Sequence, residues 1–448
     1  MRKSLIRSRI TNHASRKVST MGKLSAATAR IDINPPLGTN LCGYAGRIPG
    51  NVGVHDDLMA KALVLSDGEN RAAIVTLDLI GLIDEQVASI RQEASARTGI
   101  PVGNMLIGTS HTHAGPANMD IRACGKSNPK YIEGLLGKIV DVIAEAAKGL
   151  RSARFGFGRA QSDLAINRRY RTPSGEVQIG ENTGGVIDPE VGIWLLTDDL
   201  GKPLATIFNY ACHAVTMGGD NRWVSGDWPG AAQRAIEAAV GGQAMYLQGC
   251  CGNINPRDRG GFEVVEENGR RMAEAVLDVL PTIRTTTDVN FSIASETVKL
   301  PLQPPISMEE AERTVKEMAE SLKKKEGLSL GQKDINEAFH DWAQTIIARG
   351  GKGKASDPFE VQRFSINDAH IVGLPGEVFI EYALQIKKFK PNVFVAGYAN
   401  GNVGYVPTAA AFKEGGYEVD LAYKLYGEQM LTLKAEKVIL SAAGRLLK

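Results

Sequence analysis

The sequence predicts an α/β fold in a single domain covering residues 21–448, and two observations support this prediction. Five apolar runs of strand length each end directly in a glycine-rich polar loop, which is how α/β proteins deliver polar groups to a site at the carboxyl ends of their strands. A strand-like run is also followed directly by a helix-like segment in the first quarter of the chain. The alternative, five unrelated strand-terminal turns, stays open at this point.

The strand followed by a helix lies at residues 71–99. "RAAIVTLDLIGL" is an apolar run typical of a strand, and "IDEQVASIRQEASARTG" follows it with Val87, Ile90 and Ala94 at helical spacing. We predict Asp84 as the N-cap of the helix and Gly99 as its stop.

The five runs with polar ends follow in order along the chain. They are "NMLIGTSHTH", "PLATIFNYACHA", "AMYLQGCCGNINP", "AHIVGLPGE" and "VFVAGYANGNVGY". Each predicts a strand that delivers the polar residues after it to one edge of a sheet.

Residues 307–349 predict a helical hairpin inserted between core strands. Ser307 and Glu310 have the spacing of a capping box. Two apolar stripes at helical spacing follow, formed by Ala311, Val315, Met318 and Leu322, then by Phe339, Trp342 and Ile346. The hairpin is a candidate lid, dimer contact or filler, and residues 350–356 are its flexible exit.

The composition is 43% hydrophobic and 23% charged, which excludes the disordered and fibrous classes. The first twenty residues contain six Arg or Lys and no acid, so the formal charge falls from +2 for the whole chain to −4 for residues 21–448. A mildly acidic body gives no electrostatic case for nucleic-acid binding. We interpret the leader as a disordered tail upstream of an alternative start at Met21, although its composition resembles that of a transit peptide.

Five cysteines are present, and the adjacent pair Cys250 and Cys251 is poorly placed for a structural disulfide. No Cys-x-x-Cys metal pair exists. These features favour a reducing cytoplasm. We expect the pair to be buried, and a nucleophilic role would require a base nearby.

The stretch "GTSHTHAGP" places His111 and His113 one residue apart at the end of an apolar run. In an extended segment, side chains two residues apart project to the same side, so both imidazoles are expected to reach one site. The alternative for a lone His-x-His is ordinary loop structure.

His213 ends another apolar run, and Glu377 follows Pro-Gly in "LPGEVFIEYALQIKK". Three imidazoles from strand ends together with a carboxylate would suit Zn²⁺. The alternative for His213 is a core histidine bonded to the backbone. The alternative for Glu377 is a first-turn glutamate favoured by the dipole of a helix, whose inward side chains would be Phe379, Tyr382 and Ile386.

Taken together, these loops resemble the catalytic domain of the neutral/alkaline non-lysosomal ceramidase family. "SHTHAGP" is similar to the family's Thr-His-Thr-His-Ser-Gly-Pro loop and places the first zinc ligand on His111. His213 ahead of "SGD" matches the second ligand, the Glu of Pro-Gly-Glu the third, and the Tyr of "GYVPT" the fourth. The resemblance therefore implies Zn²⁺ held by His111, His213, Glu377 and Tyr405.

Further family landmarks align between about Lys23 and Tyr417. They are Gly43-Tyr44, His55 in "GVH", Asn167-Arg168, and Tyr417 twelve residues beyond Tyr405. The resemblance implies an α/β fold with mixed β-sheets layered against α-helices. It also implies contributions to substrate binding from Gly43, His55, Asn253 and Tyr417.

The chain departs from the family pattern in two places. "GNINP" stands where the family has Gly-Asp-Val-Ser-Pro, so Asn253 replaces the Asp and Asn255 the Ser thought to assist acyl transfer. An amide donates hydrogen bonds but is a poor nucleophile or base. The chain also stops soon after the last ligand loop, where longer members carry an immunoglobulin-like domain, so we expect a more soluble substrate than ceramide.

The expected reaction is hydrolysis of an amide (N-acyl) bond by water that Zn²⁺ activates directly, with no serine required. His113 is a candidate proton carrier, and Arg168 and Asn255 are candidate donors to the developing oxyanion. The alternatives are a surface salt bridge for Arg168, packing for Tyr417, and a turn residue bonded to Asp56 or Asp57 for His55.

Two other functions stay open on the same scaffold. One is metal-dependent opening of a lactone, lactam or sugar-derived ring, and the other is metal or ligand binding without catalysis. The presence of all four ligand positions favours an enzyme. The expected partner is a small-molecule substrate, with homo-oligomer formation left open and no stable membrane insertion expected.

Overall fold

The computed structural model describes residues 21–324 and 327–448, so the expected tail at residues 1–20 lies outside the described residues. The helices are α1 (Asp84–Thr98), α2 (Pro129–Lys148), α3 (Asp227–Val240), α4 (Phe262–Val279), α5 (Met308–Lys323), α6 (Leu330–Ala348), α7 (Ile380–Ile386), α8 (Ala411–Glu414), α9 (Tyr417–Asp420), α10 (Ala422–Tyr426) and α11 (Ala435–Leu446). In the part of the chain described, no helix combines the length and apolar character needed to cross a membrane.

Strands of very different length build the sheets. They are β1 (Gly22–Lys23), β2 (Ser25–Asp32), β3 (Gly53–Val54), β4 (Met59–Ser66), β5 (Arg71–Leu77), β6 (Met105–Thr109), β7 (Arg151–Ser152), β8 (Arg154–Gln161), β9 (Ala165–Arg171), β10 (Val177–Asn182), β11 (Glu190–Thr197), β12 (Pro203–Tyr210), β13 (Trp223–Val224), β14 (Gln243–Gln248), β15 (Ile254–Pro256), β16 (Asp288–Val289), β17 (Phe291–Pro301), β18 (Ser356–Ile366), β19 (Ala369–Gly373), β20 (Glu377–Val378), β21 (Val393–Ala396) and β22 (Tyr405–Val406).

Three larger sheets form the body of the fold, with strand orders β6-β5-β4-β2-β7, β14-β12-β11-β8 and β17-β18-β19-β21. Each sheet combines antiparallel pairs with one parallel pair, β5 with β6, β12 with β14, and β19 with β21. A three-stranded sheet, β10-β9-β15, and several two-stranded pairs complete the fold. The predicted α/β class with mixed sheets is therefore confirmed, and all five runs with polar ends form strands.

The apolar side chains of these strands explain why the sheets pack together. One buried cluster contains side chains from all three large sheets, among them Ile74, Ile207 and Phe364. A second cluster packs the five-stranded sheet against α1 and α2, and a third packs the other sheets against helices that include α3, α4 and α11. Burial of this apolar surface stabilises the layered arrangement and places the strand ends together.

Helix α1 ends as predicted but begins differently. Gly99 adopts a left-handed conformation with φ of 72° and donates its N–H to Ser95 O, which ends the helix. Asp84 is the first helical residue and not the N-cap. Ile83 occupies that position, and its backbone N–H is satisfied by Gln86 Oε1 at 3.2 Å. The Asp84 N-cap prediction is therefore wrong because a glutamine side chain closes this terminus.

The helical hairpin is present as helices α5 and α6. It is inserted between β17 and β18, which pair along their whole length from Phe291↔Ile366 to Pro301↔Ser356. Ser307 Oγ accepts the N–H of Glu310 at 3.1 Å, as the predicted cap requires. Helix α6 also faces the rest of the fold, since Trp342 packs edge-on against Tyr423 of α10 with centroids 5.7 Å apart.

Candidate metal centre

The buried amide of Gln248, at the end of β14, connects three strand ends. Its Oε1 accepts the N–H groups of Cys212 and Gly249, and its Nε2 donates to the carbonyls of Ser110 and Cys212. The loops that follow β6, β12 and β14 are thereby fastened side by side. This contact holds the segment of His111 against the segment of His213.

His111 and His113 lie in a turn and not in an extended segment. Strand β6 ends at Thr109, and His111 has a left-handed φ of 59°. The two Nε2 atoms nevertheless lie 3.1 Å apart, and the rings meet edge-on with centroids 4.8 Å apart. The imidazoles share one site as expected, but the predicted alternation of an extended strand is wrong as the cause. A left-handed residue costs backbone energy and is typical of functional loops.

His213 lies three residues beyond β12, and its position is fixed from several sides. Its Nδ1 donates to Ile254 O at 2.9 Å, and its own carbonyl accepts the indole N–H of Trp228 at 3.0 Å. Asp227 of the "SGD" turn accepts the backbone N–H of Thr216 at 3.1 Å. His213 therefore makes, through Nδ1, the backbone hydrogen bond that its alternative role required. Its Nε2 faces Glu377.

Glu377 and Tyr405 are direct neighbours in a parallel pair of short strands, β20 and β22. Glu377 was considered as a first-turn helical residue, and that alternative is wrong. The helix begins later, at Ile380, after Phe379 in the N-cap position. The strand pairing places the carboxylate and the phenol on the same short ribbon, as a shared site requires.

Two imidazole nitrogens converge on one oxygen of the Glu377 carboxylate. Nε2 of His111 and Nε2 of His213 each lie 3.4 Å from Glu377 Oε2. Both Nδ1 atoms face backbone carbonyls, that of His111 facing Ile80 O at 2.6 Å, which orients each ring with Nε2 toward the carboxylate. All three side chains are buried.

Burial and neighbouring charges shift the pKa values of the side chains at this convergence. Burial, together with the guanidinium of Arg168, lowers the pKa of His213 to about 4. Burial alone would raise the pKa of Glu377, but His111 and His213 outweigh it and hold that pKa well below its usual range. Two imidazole nitrogens and a carboxylate oxygen that converge in a buried site form a donor set that suits Zn²⁺.

His113 lies at the edge of this convergence. His111, His113 and His213 each offer a nitrogen, and these atoms lie within 4.8 Å of one another. Burial, followed by the proximity of His111 and His213, lowers the pKa of His113 well below its usual value. Its Nδ1 is buried without a hydrogen-bond partner among the described residues. That nitrogen faces Gly43, where a Cβ atom would lie only 2.3 Å away.

Arg168 is buried beside the three histidines, so the surface salt bridge considered for it is wrong. Nε donates to Glu418 at 3.0 Å and Nη2 to the Tyr405 hydroxyl at 2.9 Å. Nη1 lies 3.3 Å from His213 Nε2. Burial would lower the pKa of Arg168, but Tyr405 and Glu418 outweigh it and hold that pKa well above its usual value. A permanent cation therefore stands at the centre.

The two asparagines of "GNINP" point in different directions. Asn255 lies on β15 beside β9, and its Oδ1 accepts a bond from Arg168 Nη1 at 3.4 Å. Asn253 accepts the N–H of Ile380 at 2.9 Å and donates to Glu381. The first contact joins Asn255 to the polar centre, whereas the second caps helix α7.

The remaining predicted substrate contacts lie at different distances from the centre. The ring of Tyr417 packs edge-on against Tyr405 with centroids 5.7 Å apart. His55 instead stacks on Phe262 with centroids 3.6 Å apart, and its Nδ1 lies 3.0 Å from Asp56 Oδ2. The contact with Asp56 is the one expected of the alternative role of His55 as a turn residue. In the described part of the chain, no contact joins His55 to His111, His113 or His213.

The cysteines are buried and free, including Cys250 and Cys251. Burial raises the pKa of both thiols of that pair. Cys251 donates its S–H to the Tyr398 hydroxyl at 3.3 Å. A buried thiol with a raised pKa is a poor nucleophile, so the pair belongs to the packing of the core.

Sequence reasoning missed two tyrosines that hold the Glu377 carboxylate. Tyr398 donates to Oε2 at 3.2 Å, and Tyr426 donates to Oε1. The ring of Tyr398 also stacks on His111 with centroids 4.2 Å apart. Tyr398 lies in a strand-end loop that the sequence had singled out, which was a usable signal. Tyr426 ends α10, a short helix with no such pattern.

A family model described as neutral/alkaline non-lysosomal ceramidase, N-terminal, matches residues 27–275, more than half of the 448-residue chain. Neutral ceramidase A of Dictyostelium discoideum is 30% identical over 278 residues, which is 56% of this chain and 38% of that protein. Neutral ceramidase B of the same organism is 26% identical over 245 residues, which is 49% of this chain and 34% of that protein. The match thus spans only between a third and two fifths of these relatives.

Solved structures match over nearly the whole chain. The crystal structure of neutral ceramidase from Pseudomonas aeruginosa has a TM-score of 0.70 and 18% sequence identity, covering 95% of this chain and 75% of that one. A structure described as ceramidase complexed with C2 has a TM-score of 0.71 and 17% identity, with the same two coverages. At these identities the similarity shows a shared fold.

Proposed function

Because the chain belongs to the neutral/alkaline non-lysosomal ceramidase family, we propose that it is a zinc-dependent hydrolase that cleaves the amide bond of a soluble N-acyl compound. The observation that carries the proposal is the convergence of His111 Nε2 and His213 Nε2 on Glu377 Oε2, each at 3.4 Å. Two buried imidazoles and a buried carboxylate in this arrangement favour a bound divalent cation.

The residues that would hold the metal are His111, His213, Glu377 and Tyr405. When bound, the ion supplies Lewis-acid polarisation of the scissile carbonyl and activates water for attack. The backbone carbonyls at both histidine Nδ1 atoms fix the tautomers, and the hydroxyls of Tyr398 and Tyr426 orient the carboxylate. Loss of such outer contacts typically costs about 10- to 100-fold in metal affinity or activity.

The chain's own residues then carry the proton and the developing charge. His113, beside His111, accepts the proton of the attacking water and returns it to the leaving nitrogen. Arg168 and Asn255 donate hydrogen bonds to the oxyanion. Asn255 uses Oδ1 for its contact with Arg168, which leaves its Nδ2 hydrogens available as donors.

Direct attack by water is proposed instead of an acyl-enzyme. The family serine is replaced by Asn255, and the thiols of Cys250 and Cys251 are buried with raised pKa values. An amide side chain is a poor nucleophile. The two thiols lack the lowered pKa of a reactive cysteine.

The test combines metal analysis with a substrate panel of N-acyl compounds, lactams and lactones. We expect about one zinc per chain and turnover of N-acyl compounds, with both lost in His111→Ala. The control is His370→Ala, which removes a buried histidine of β19 that bonds Ser365 outside the centre. Absence of any transition metal, with none restored by added Zn²⁺, would contradict the proposal, and turnover of lactones alone would favour ring opening.

A further inference from the structure

A cavity of about 530 Å³ lies between the loop of residues 40–49, the loop of residues 120–126 and helix α6. We call it the α6 cavity. Tyr44 forms part of its wall and contacts His113 edge-on, with ring centroids 5.1 Å apart. The cavity is within the size range of small-molecule sites.

A second contact joins the α6 cavity to the metal centre. Ile121 and Ala338 line the cavity and belong to one apolar cluster, against which Tyr417 and Tyr426 pack. Both tyrosines contact the ring of Tyr405, with centroids 5.7 and 6.3 Å apart. Packed side chains therefore connect the cavity wall to His113 on one side and to the proposed ligand Tyr405 on the other.

Arg47 is the most deeply buried charged side chain in the cavity wall, at 8% exposure. Its Nη1 donates to Cys42 O at 2.9 Å and its Nε to Gly219 O at 3.3 Å. The guanidinium also lies over the ring of Tyr44, 4.9 Å from its centroid. Two backbone carbonyls and an aromatic face thus fix the cation in one position.

Among the described residues this cation has no counter-ion. Within residues 21–324 and 327–448, no carboxylate lies within 4.0 Å of Arg47, and Nη2 donates to no protein acceptor. A buried charge without a partner is costly, so the fixed guanidinium is a prepared receptor for an anionic group. The planar fork of arginine matches a carboxylate.

The carboxylates around the cavity do not outweigh Arg47. Glu337, Asp341 and Asp120 are exposed at its rim, and Asp334 accepts the N–H of Gly46 at 2.8 Å. Exposed charges are screened by water and salt, so they act weakly on a ligand inside.

We propose that the α6 cavity binds the carboxylate of an N-acylated amino acid through Arg47, which makes N-acyl amino acids the substrate class. This inference rests on the amide hydrolysis proposed above. Arg47 Cζ lies 4.9 Å from the Tyr44 centroid, which lies 5.1 Å from that of His113, so the guanidinium is within about 10 Å of the His113 ring. In an N-acyl amino acid the scissile carbon and the carboxylate carbon lie at most about 3.8 Å apart, and the rest of the distance is covered by the C–O bonds and by a contact of about 2.9 Å to the protein at each end.

Water is the only co-reactant that this hydrolysis requires. The C–N bond of the amide breaks, the hydroxyl of water joins the acyl carbon, and the remaining proton joins the nitrogen. The products are a carboxylic acid and a free amino acid, and Arg47 keeps the amino acid's carboxylate throughout.

The test compares N-acetyl-leucine and N-octanoyl-leucine with their neutral C-terminal carboxamides. We expect the acids to be cleaved with at least tenfold higher kcat/KM. Arg47→Gln should lower kcat/KM for the acids about thirtyfold, mainly through KM, because a charge-assisted pair is lost. The carboxamides should lose several-fold less than the acids, so that the ratio of acid to carboxamide kcat/KM falls.

Arg222→Gln is the matched control. Arg222 also donates to carbonyls of the same loop, Gly50 O at 3.0 Å and Pro49 O at 3.2 Å, but does not line the cavity. It should leave the ratio of acid to carboxamide turnover at the wild-type value. Arg47→Lys keeps the charge without the fork and should restore part of the preference.

A binding measurement keeps the inference testable if Arg47→Gln fails to fold. Calorimetry of the metal-depleted wild-type chain should detect N-acetyl-leucine but not its carboxamide. Equal turnover of acids and carboxamides, unchanged by Arg47→Gln, would overturn the inference and leave amide hydrolysis standing, as would a preference for amides that carry an ammonium group. Binding of N-acetyl-leucine without turnover of any amide would support the role of Arg47 and count against the proposed function alone.

Discussion

Gly43→Ala is the substitution for which the structure gives the clearest consequence. Gly43 has a φ of 107°, and a Cβ atom there would lie 2.3 Å from His113 Nδ1 and 2.5 Å from Cγ. Ordinary contacts begin at 3.4 Å, so the imidazole or the loop must move by about 1 Å. A displacement of this size in a catalytic group costs on the order of a hundredfold in rate.

The stability cost of this substitution has two parts. A non-glycine residue at positive φ costs roughly 1–2 kcal/mol, and the forced movement of a packed ring adds about 1–3 kcal/mol. Gly38→Ala is the matched control, because Gly38 has a φ of 82° and no atom within 4 Å of an added Cβ. Gly38→Ala should therefore bear the cost of the positive φ but not the cost of displacing a packed ring.

The assays are urea unfolding, metal analysis and kcat/KM on the best substrate of the panel. We expect Gly43→Ala to retain its metal, to unfold more readily than Gly38→Ala, and to lose most of its turnover. A double-mutant cycle with His113→Ala isolates the cause, since the rate losses should not add if both changes act on the same ring. Wild-type turnover in Gly43→Ala, or equal losses in the two glycine variants, would refute the reasoning.

Three further predictions concern the centre itself. His111→Ala should remove metal and activity together, whereas His113→Ala should lower turnover more than metal content. The opposite pattern would mean that His113 is the metal ligand and His111 the proton carrier. Asn255→Ala should slow turnover on the order of a hundredfold, and intact-protein mass spectrometry during a single turnover in ¹⁸O-labelled water should show no acyl-enzyme. In the metal-free protein, lowering the pH from 6.5 to about 4 should reduce the free energy of unfolding by up to about 3 kcal/mol. The reason is that His213 has a pKa of 6.5 when unfolded and about 4 when folded, so the unfolded chain binds the proton first. His213→Gln should weaken this pH dependence in chemical unfolding.

Much of the centre could be predicted from the sequence because strand ends leave a local signal. An apolar run that stops at a polar loop identifies the end of a strand without any knowledge of its neighbours. His111, His113 and His213 carry that signal, and all three meet in the structure. The cap at Ser307 is equally local, and the half of the predicted capping box in which Ser307 Oγ accepts the N–H of Glu310 is observed.

The parts that were wrong or missed depend on contacts between distant segments. The alternative role placed Glu377 in the first turn of a helix, because apolar residues at helical spacing follow it. In the structure, pairing with Tyr405 places it in a strand. Gln248 and Tyr426 are ordinary residues in sequence, and their roles come from partners 36 and 49 residues away. No periodicity records such partners, so tertiary packing decides them.

The asparagine loop is compatible with the proposed hydrolysis although it lacks the serine of the family pattern. In "GNINP", Asn253 caps the helix that follows Glu377, so it fixes the segment of one proposed ligand. Asn255 contacts Arg168, which itself contacts Tyr405 and lies beside His213. The loop therefore braces the centre on two sides while offering no group that could form an ester. Catalysis that relies on positioned donors and activated water needs rigidity from this loop and no nucleophile, and these contacts supply that rigidity.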